Sequence, residues 1–470
     1  MRRTWVHGTI GLAMAGVLTM GAMGPASAAP AQTSAVAEQL RSTMERLRFQ
    51  EVLDTAPPSS ALARTLVTVD KEATAAGQRS RLLAAAADAK PIVQQPQIDA
   101  TVIELDSGGK PARSGTVLMS PQYKDGVVVP VDENLRTDAV RWRQWDDAGW
   151  YANNARGTVD IVPGRENAEY DFMSPYPASV LKLAVNFGVL RMVDQGKIRL
   201  TDTYDYNPTT ISSLCGGATS RTVESYINDS LTWSSNGAAC ALVKLMHDHD
   251  YIGTLNQTFQ DLGLETIQLK NTNPVNGGRW GNPVTMNSLD TAKLLVLVNG
   301  SAGTVWTAPN GDPVKPRAVL SETSRNVFKA KLGQQGFNDM LSSANRCSGT
   351  YPARGIPHAV GAPWLQADGT VNVNGSNFGA DVRPCNTAAE VSFLHKTGWV
   401  NNSASDAGIV KFRGKGGRHY IITVFSNLGT QYVDADRPPL PGGVYPYSYT
   451  EKFAKLGAII DAYEKESTPE

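Results

Sequence analysis

The sequence predicts an α+β fold, and three observations carry that prediction. Short β-branched runs punctuated by Gly and Pro fill the stretch from Thr101 to Phe172. Helical patterns then dominate from Ser179 to about Asn299, and strands return between Val391 and Phe425 ahead of a closing helix. Strands, a run of helices and strands again describe an α+β domain, not an alternating βαβ chain.

Composition sets the outer limits. The 470 residues are 41% hydrophobic, enough for a well-filled core, and 44 Lys plus Arg balance 44 Asp plus Glu. That balance gives no electrostatic case for nucleic acid or a charged membrane surface. A small molecule or a wall polymer is the expected partner, and a monomer is the expected state. Met1 to Ala28 reads as an export signal: Arg2 and Arg3, an apolar run from Trp5 to Met23, and Ala26-Ser27-Ala28 as a cleavage site. The Arg pair leaves the Sec and twin-arginine routes both open. No later stretch is long and apolar enough to span a bilayer, so the mature protein is expected outside the cell. In that setting the four cysteines are expected as disulfides, and sequence-local pairing gives Cys215–Cys240 and Cys347–Cys385 out of three connectivities. No Cys or His spacing suits a zinc site, so neither metal nor cofactor is expected.

Residues 29–100 read as an N-terminal helical extension, and 101–470 as the main domain. Ser34 caps an amphipathic helix reaching about Leu53, with Val36, Leu40, Met44 and Leu47 on one side. Pro57 and Pro58 break it, and a second, alanine-rich helical run covers Ala61 to about Ala89. This pair either packs on the main domain or extends from it. Thr101–Leu105, Gly115–Met119, Val127–Val131, Thr158–Val162 and Glu169–Phe172 read as strands. The cluster Arg141-Trp142-Arg143-Gln144-Trp145 with Trp150-Tyr151 could stack sugars, but its alternation suits a half-buried strand better.

Ser179 and Lys182 stand one helical turn apart at the head of an apolar helix with Leu181, Ala184, Val185, Val189 and Met192. Residues three apart on a helix are neighbours, and a hydroxyl beside an amine is a latent nucleophile with its base. Further helices run from Thr222 to Asn228, Asn236 to His247, Ile252 to Leu262 and Asn287 to Val298. Ser234-Ser235-Asn236 precedes the second of these, where such residues cap helices. The aperiodic stretch from Lys270 to Thr285 is a long loop. A helix is expected from Ser321 to Leu341, then a Gly-, Pro- and Asn-rich excursion from Cys347 to Cys385. Lys396-Thr397-Gly398 is expected at a strand end, and Tyr449 to Tyr463 as the closing helix.

Taken in order, Ser-x-x-Lys at 179–182, Ser-x-Asn at 234–236 and Lys-Thr-Gly at 396–398 resemble the motif set of class A β-lactamases and penicillin-binding proteins. The resemblance covers about 158–463, with 347–385 as an insertion. It implies an antiparallel sheet with N- and C-terminal helices packed on it and an all-helical subdomain. It also implies a serine hydrolase that works through an acyl-serine. Ser179 would be the nucleophile and Lys182 its base, Ser234 would pass a proton to the leaving nitrogen, and Lys396 would adjust it. Backbone N–H groups of Ser179 and Trp399 would form the oxyanion hole, beside Gly398. Asn236 would bind the substrate's side-chain amide, and Thr397 with Lys396 its carboxylate. A β-lactam is the implied substrate, with a D,D-peptidase acting on wall peptide, or a binding module on the same scaffold, as alternatives.

One departure bears on turnover. The family's β-lactamases position the hydrolytic water with a glutamate on the loop after the Ser-x-Asn helix, and here that loop has none. Aligning Leu269 to Asn276 puts Asn273, or Thr272, in its place, and an amide can orient a water but cannot take its proton. Acylation is therefore expected to outpace deacylation.

Overall fold

The computed structural model describes residues 34–54, 90–92, 95–152, 155–157, 159–281, 283–347, 355–433 and 450–468. The export signal, its cleavage point and the helical run from Ala61 to Ala89 lie outside those residues. Helix α1 (Ala35–Arg46) starts where Ser34 accepts a hydrogen bond from the Ala37 N–H, and it stops well short of Leu53. Arg48 turns into left-handed backbone at φ 50°. Leu53–Asp54 instead pairs as a short strand between Lys90–Pro91 and Tyr432–Val433. Of the two placements open to it, α1 takes the packed one, lying on the main sheet.

That sheet has six antiparallel strands. β1 (Ile98–Leu105), β2 (Pro111–Ser120) and β3 (Tyr123–Val129) come from the first β-rich stretch. β4 (Val140–Gln144) and β5 (Tyr170–Ser174) form a separate parallel pair. Trp142, Trp145 and Trp150 are all buried there, so the aromatic cluster is core and not a stacking surface. The strand expected at Thr158–Val162 is reduced to one bridge between Arg143 and Asp160, where Arg141 and Arg143 both pair with the Asp160 carboxylate.

A tight turn, Ala178–Leu181, leads into α2 (Lys182–Asp194). Then come α3 (Val223–Leu231), α4 (Asn236–Asp248), α5 (Tyr251–Asp261), α6 (Ser288–Asn299) and α7 (Glu322–Leu332). Thr222, Ser235, Asn287 and Ser321 cap four of them through side-chain oxygens. The helix expected to reach Leu341 ends at Leu332. Beyond it the Gln335 side chain accepts from the Gly336 and Phe337 N–H groups, capturing donors that a helix would have used internally.

β6 (Val391–Val400), β7 (Ser403–Phe412) and β8 (His419–Ser426) complete the sheet in the order β6-β7-β8-β1-β2-β3. Helix α8 (Thr450–Ser467) closes the described chain. Lys396-Thr397-Gly398 lies inside β6, not at a strand end, because pairing with β7 continues to Val400 opposite Ser403. Alternation sends successive side chains to opposite faces. On β8, Tyr420, Ile422 and Val424 join a core with α1 and α8, whereas Ile421 and Phe425 join a larger core with α2, α4 and α6. Both disulfides form as the spacing suggests, Cys215–Cys240 and Cys347–Cys385. No described helix is long and apolar enough to cross a membrane.

Candidate active site

The site lies where the Ala178–Leu181 turn, the residues ahead of α4 and the edge strand β6 converge. Two non-glycine residues there hold left-handed backbone, Ala178 at φ 47° and Ser234 at φ 54°. Such backbone costs roughly 1 kcal/mol or more per residue and persists only where the surroundings enforce it. Here it flanks the two serines that the sequence singles out.

Lys182 is fully buried, and Ser179 is 5% exposed. The Lys182 Nζ stands 2.7 Å from the Ser179 Oγ, 2.8 Å from the Ser234 carbonyl oxygen, 2.6 Å from the Asn236 Oδ1 and 3.3 Å from the Ser234 Oγ. The carbonyl and the amide oxygen can only accept, so two N–H bonds of Lys182 point at them. In the amine form the remaining lone pair faces the Ser179 hydroxyl. The Ser234 Oγ is also 2.9 Å from the Lys396 Nζ, which donates as well to the Thr397 carbonyl at 2.6 Å. Ser179, Lys182, Ser234 and Lys396 thus form one continuous hydrogen-bonded chain, able to carry a proton from the first serine to the second.

Gly398 explains how β6 comes so close. A Cβ there would collide with the Ser179 backbone nitrogen and stand 2.7 Å from that of Val180. Only glycine lets the strand lie flat against the turn bearing Ser179. The Cys215–Cys240 bridge secures the opposite wall, joining a loop to the first turns of α4.

Two expected contributors, Asn236 and Thr397, are already engaged within the protein. The Asn236 amide oxygen is engaged by Lys182, so this residue orients the Lys182 amine. Thr397 lies on the opposite face of β6 from Lys396 and donates its one hydroxyl hydrogen to the Phe337 carbonyl at 3.1 Å. No donor is left for a carboxylate in that arrangement. Trp399 shares that face, its ring 5.5 Å from the Phe337 ring.

The hydrogen bonds of Asn273 lie within its own loop. The residue is exposed, and its side-chain oxygen accepts from the Val275 and Asn276 N–H groups as the cap of a turn. The adjoining Thr272 hydroxyl meets the His247 Nε2 at 2.8 Å, in the last turn of α4. At about 1.5 Å of rise per residue, His247 lies roughly 16 Å along the helix from Asn236. Farther along the loop, the Trp280 Nε1–H donates to the Tyr176 hydroxyl at 3.0 Å.

Sequence reasoning missed two supporting residues. Asn186, buried in α2, donates to the Lys182 carbonyl at 2.7 Å and to the Ser230 hydroxyl at 2.8 Å. An asparagine one turn beyond Lys182 in an otherwise apolar helix was a readable signal. Tyr176, whose carbonyl accepts from the Ser403 hydroxyl, carries no such signal. Among the described residues no group of three or more His, Cys, Asp or Glu could hold a metal ion.

A serine beside a lysine, linked through a second serine to a second lysine, is an arrangement in which an amine can take a hydroxyl proton. Residues 155–344, which contain Ser179, Lys182, Ser234 and Asn236, match the family model described as the β-lactamase enzyme family. That match makes residues 155–344 similar to the β-lactamase enzyme family. No curated protein matches the chain. Among solved structures, it is similar to PBP-A, at 15% identity and TM-score 0.41, over 85% of this chain and 100% of that one. It is also similar to a β-lactamase from Chitinophaga pinensis, at 13% identity and TM-score 0.40, over 83% of this chain and 98% of that one. A class A β-lactamase from Bacteroides cellulosilyticus gives 13% identity and TM-score 0.40, over 84% and 100%.

Proposed function

We propose that the protein is an exported serine hydrolase that opens a β-lactam by forming an acyl-enzyme on Ser179, and that it clears this acyl group slowly. The observation that carries the reading is the Lys182 Nζ placed 2.7 Å from the Ser179 Oγ and linked through Ser234 to Lys396. Lys182 in its amine form takes the Ser179 proton as the oxygen attacks the lactam carbonyl. Ser234, within reach of both lysines, delivers a proton to the departing nitrogen. Lys396 holds the substrate's carboxylate, and the Ser179 and Trp399 N–H groups stabilise the oxyanion. The two disulfides support a chain that works outside the cell.

Slow clearance rests on the loop. Its residues 270–283 contain no Asp or Glu. The nearest acids in sequence are engaged elsewhere: Glu265 pairs with Arg165, and Asp290 accepts from the Thr266 N–H and hydroxyl. A missing water-activating carboxylate also suits a D,D-peptidase acting on wall peptide through the same acyl-serine. The test is incubation of the mature chain, and of Ser179→Ala, with a labelled penicillin and a chromogenic cephalosporin. Stable labelling with little turnover, both absent in the variant, supports the reading. Absence of labelling in the parent chain sinks it, and rapid turnover sinks its slow-clearance half.

A further inference from the structure

Two buried histidines sit behind β6 with ring centroids 5.6 Å apart, and each is held by a different set of hydrogen bonds. The assignment starts at a group that can only accept. The Gly336 carbonyl takes a hydrogen from the Asn345 Nδ2 at 2.7 Å, which fixes the orientation of that amide. The Asn345 Oδ1 must then accept from the Asn338 Nδ2 at 2.8 Å. This leaves the Asn338 Oδ1 facing the His395 Nε2 at 3.0 Å, so Nε2 carries a hydrogen. On the other side of the ring, Nδ1 lies 2.9 Å from the Asp406 Oδ1, while the Asp406 Oδ2 accepts from the Leu341 N–H at 3.2 Å. With the carboxylate accepting at both oxygens, Nδ1 carries a hydrogen too.

His358 is built the other way. The Ser342 Oγ accepts from the Ala344 N–H at 3.1 Å and turns its own hydrogen to the His358 Nε2 at 2.8 Å, while Nδ1–H donates to the Ala359 carbonyl at 3.0 Å. Burial first, and His395 second, push His358 down to about 3. The charged or titratable groups around His395 are therefore a carboxylate on β7, a neutral imidazole, and Lys396, next to it in sequence and on the opposite face of the strand.

We propose that His395, carrying hydrogen on both ring nitrogens against Asp406, is a positioning residue that fixes β6 for acylation. It ties the 336–345 segment to the back of the strand, and the Thr397–Phe337 hydrogen bond adds a second tie two residues on. Lys396 and Gly398, facing the other way, are thereby held against Ser234 and Ser179. His395, Asp406, Asn338 and Asn345 are all at most 1% exposed, so no water competes for these bonds, and breaking one leaves a buried partner unsatisfied.

The rate consequence rests on the acyl-enzyme reading, whereas the proton assignment does not, and the test separates them. The full mature chain is labelled with 15N-histidine, and the His395 ring nitrogens are assigned from the signals lost in His395→Gln. Two protonated-type nitrogens at pH 7 are expected, and one bare nitrogen overturns the proposal. In parallel, His395→Gln and the parent chain are acylated with a penicillin and with its methyl ester. The carboxylate-bearing compound should lose roughly tenfold in acylation rate per molar, as expected for a small misplacement of Lys396, while the ester changes little. Equal losses for both compounds, or no loss, overturn the positioning role. If the parent chain takes up neither compound, the acyl-enzyme reading fails, and the spectrum still decides whether the clamp exists.

Discussion

The serine–lysine network and the loop after α4 are built on opposite plans. In the network, Lys182 and Ser234 each meet at least two other side chains, Lys182 is fully buried, and the backbone accepts left-handed conformations at Ala178 and Ser234. In the loop, Asn273 is exposed and serves a turn, Thr272 reaches the far end of α4, and no carboxylate lies between Lys270 and Pro283. On the acyl-enzyme reading proposed above, loading a serine and clearing it fall to separate parts of the chain.

Mutations can break or sharpen that contrast. The largest effect is expected from Lys182→Ala, which removes the base and the hub of four contacts; acylation measured with labelled penicillin should fall roughly 10³-fold or more. Ser234→Ala interrupts the link between the two lysines, and stopped-flow acylation rates should fall roughly 10²-fold, the ordinary contribution of a positioned proton carrier. Gly398→Ala forces β6 away from Ser179, and about tenfold slower acylation together with a lower melting temperature is expected. At the small end, Asn273→Glu should leave the deacylation rate unchanged, because its side chain caps a turn within its own loop. A rate gain in that variant would show that the loop reaches Ser179 after all.

Much of this was legible in the sequence, and the reasons differ by element. The Ser179–Lys182 contact follows from helical spacing, and the caps at Ser34 and Ser235 follow from their donors and acceptors. Local rules suffice there. The end of α1 near Arg46 and that of α7 at Leu332 were not legible, because partners distant in sequence decide them: Tyr432–Val433 for the first, and the Leu231 carbonyl bound by Gln335 for the second. The position of Lys396 inside β6 depends on how far β7 pairs with it. Residue types alone also suggested a carboxylate-binding Thr397, whereas strand alternation and the Phe337 carbonyl direct its hydroxyl elsewhere. Asn273 was placed by alignment of a loop without periodicity, where nothing physical constrains register.

Intact-protein mass spectrometry after mixing the mature chain with a single equivalent of penicillin, sampled from seconds to hours and followed by peptide mapping, tests the central claim most directly. A full-mass penicilloyl adduct on the peptide containing Ser179, formed quickly and persisting long after free penicillin is gone, is the predicted result. An adduct on another residue, or none while penicillin remains intact, would contradict it.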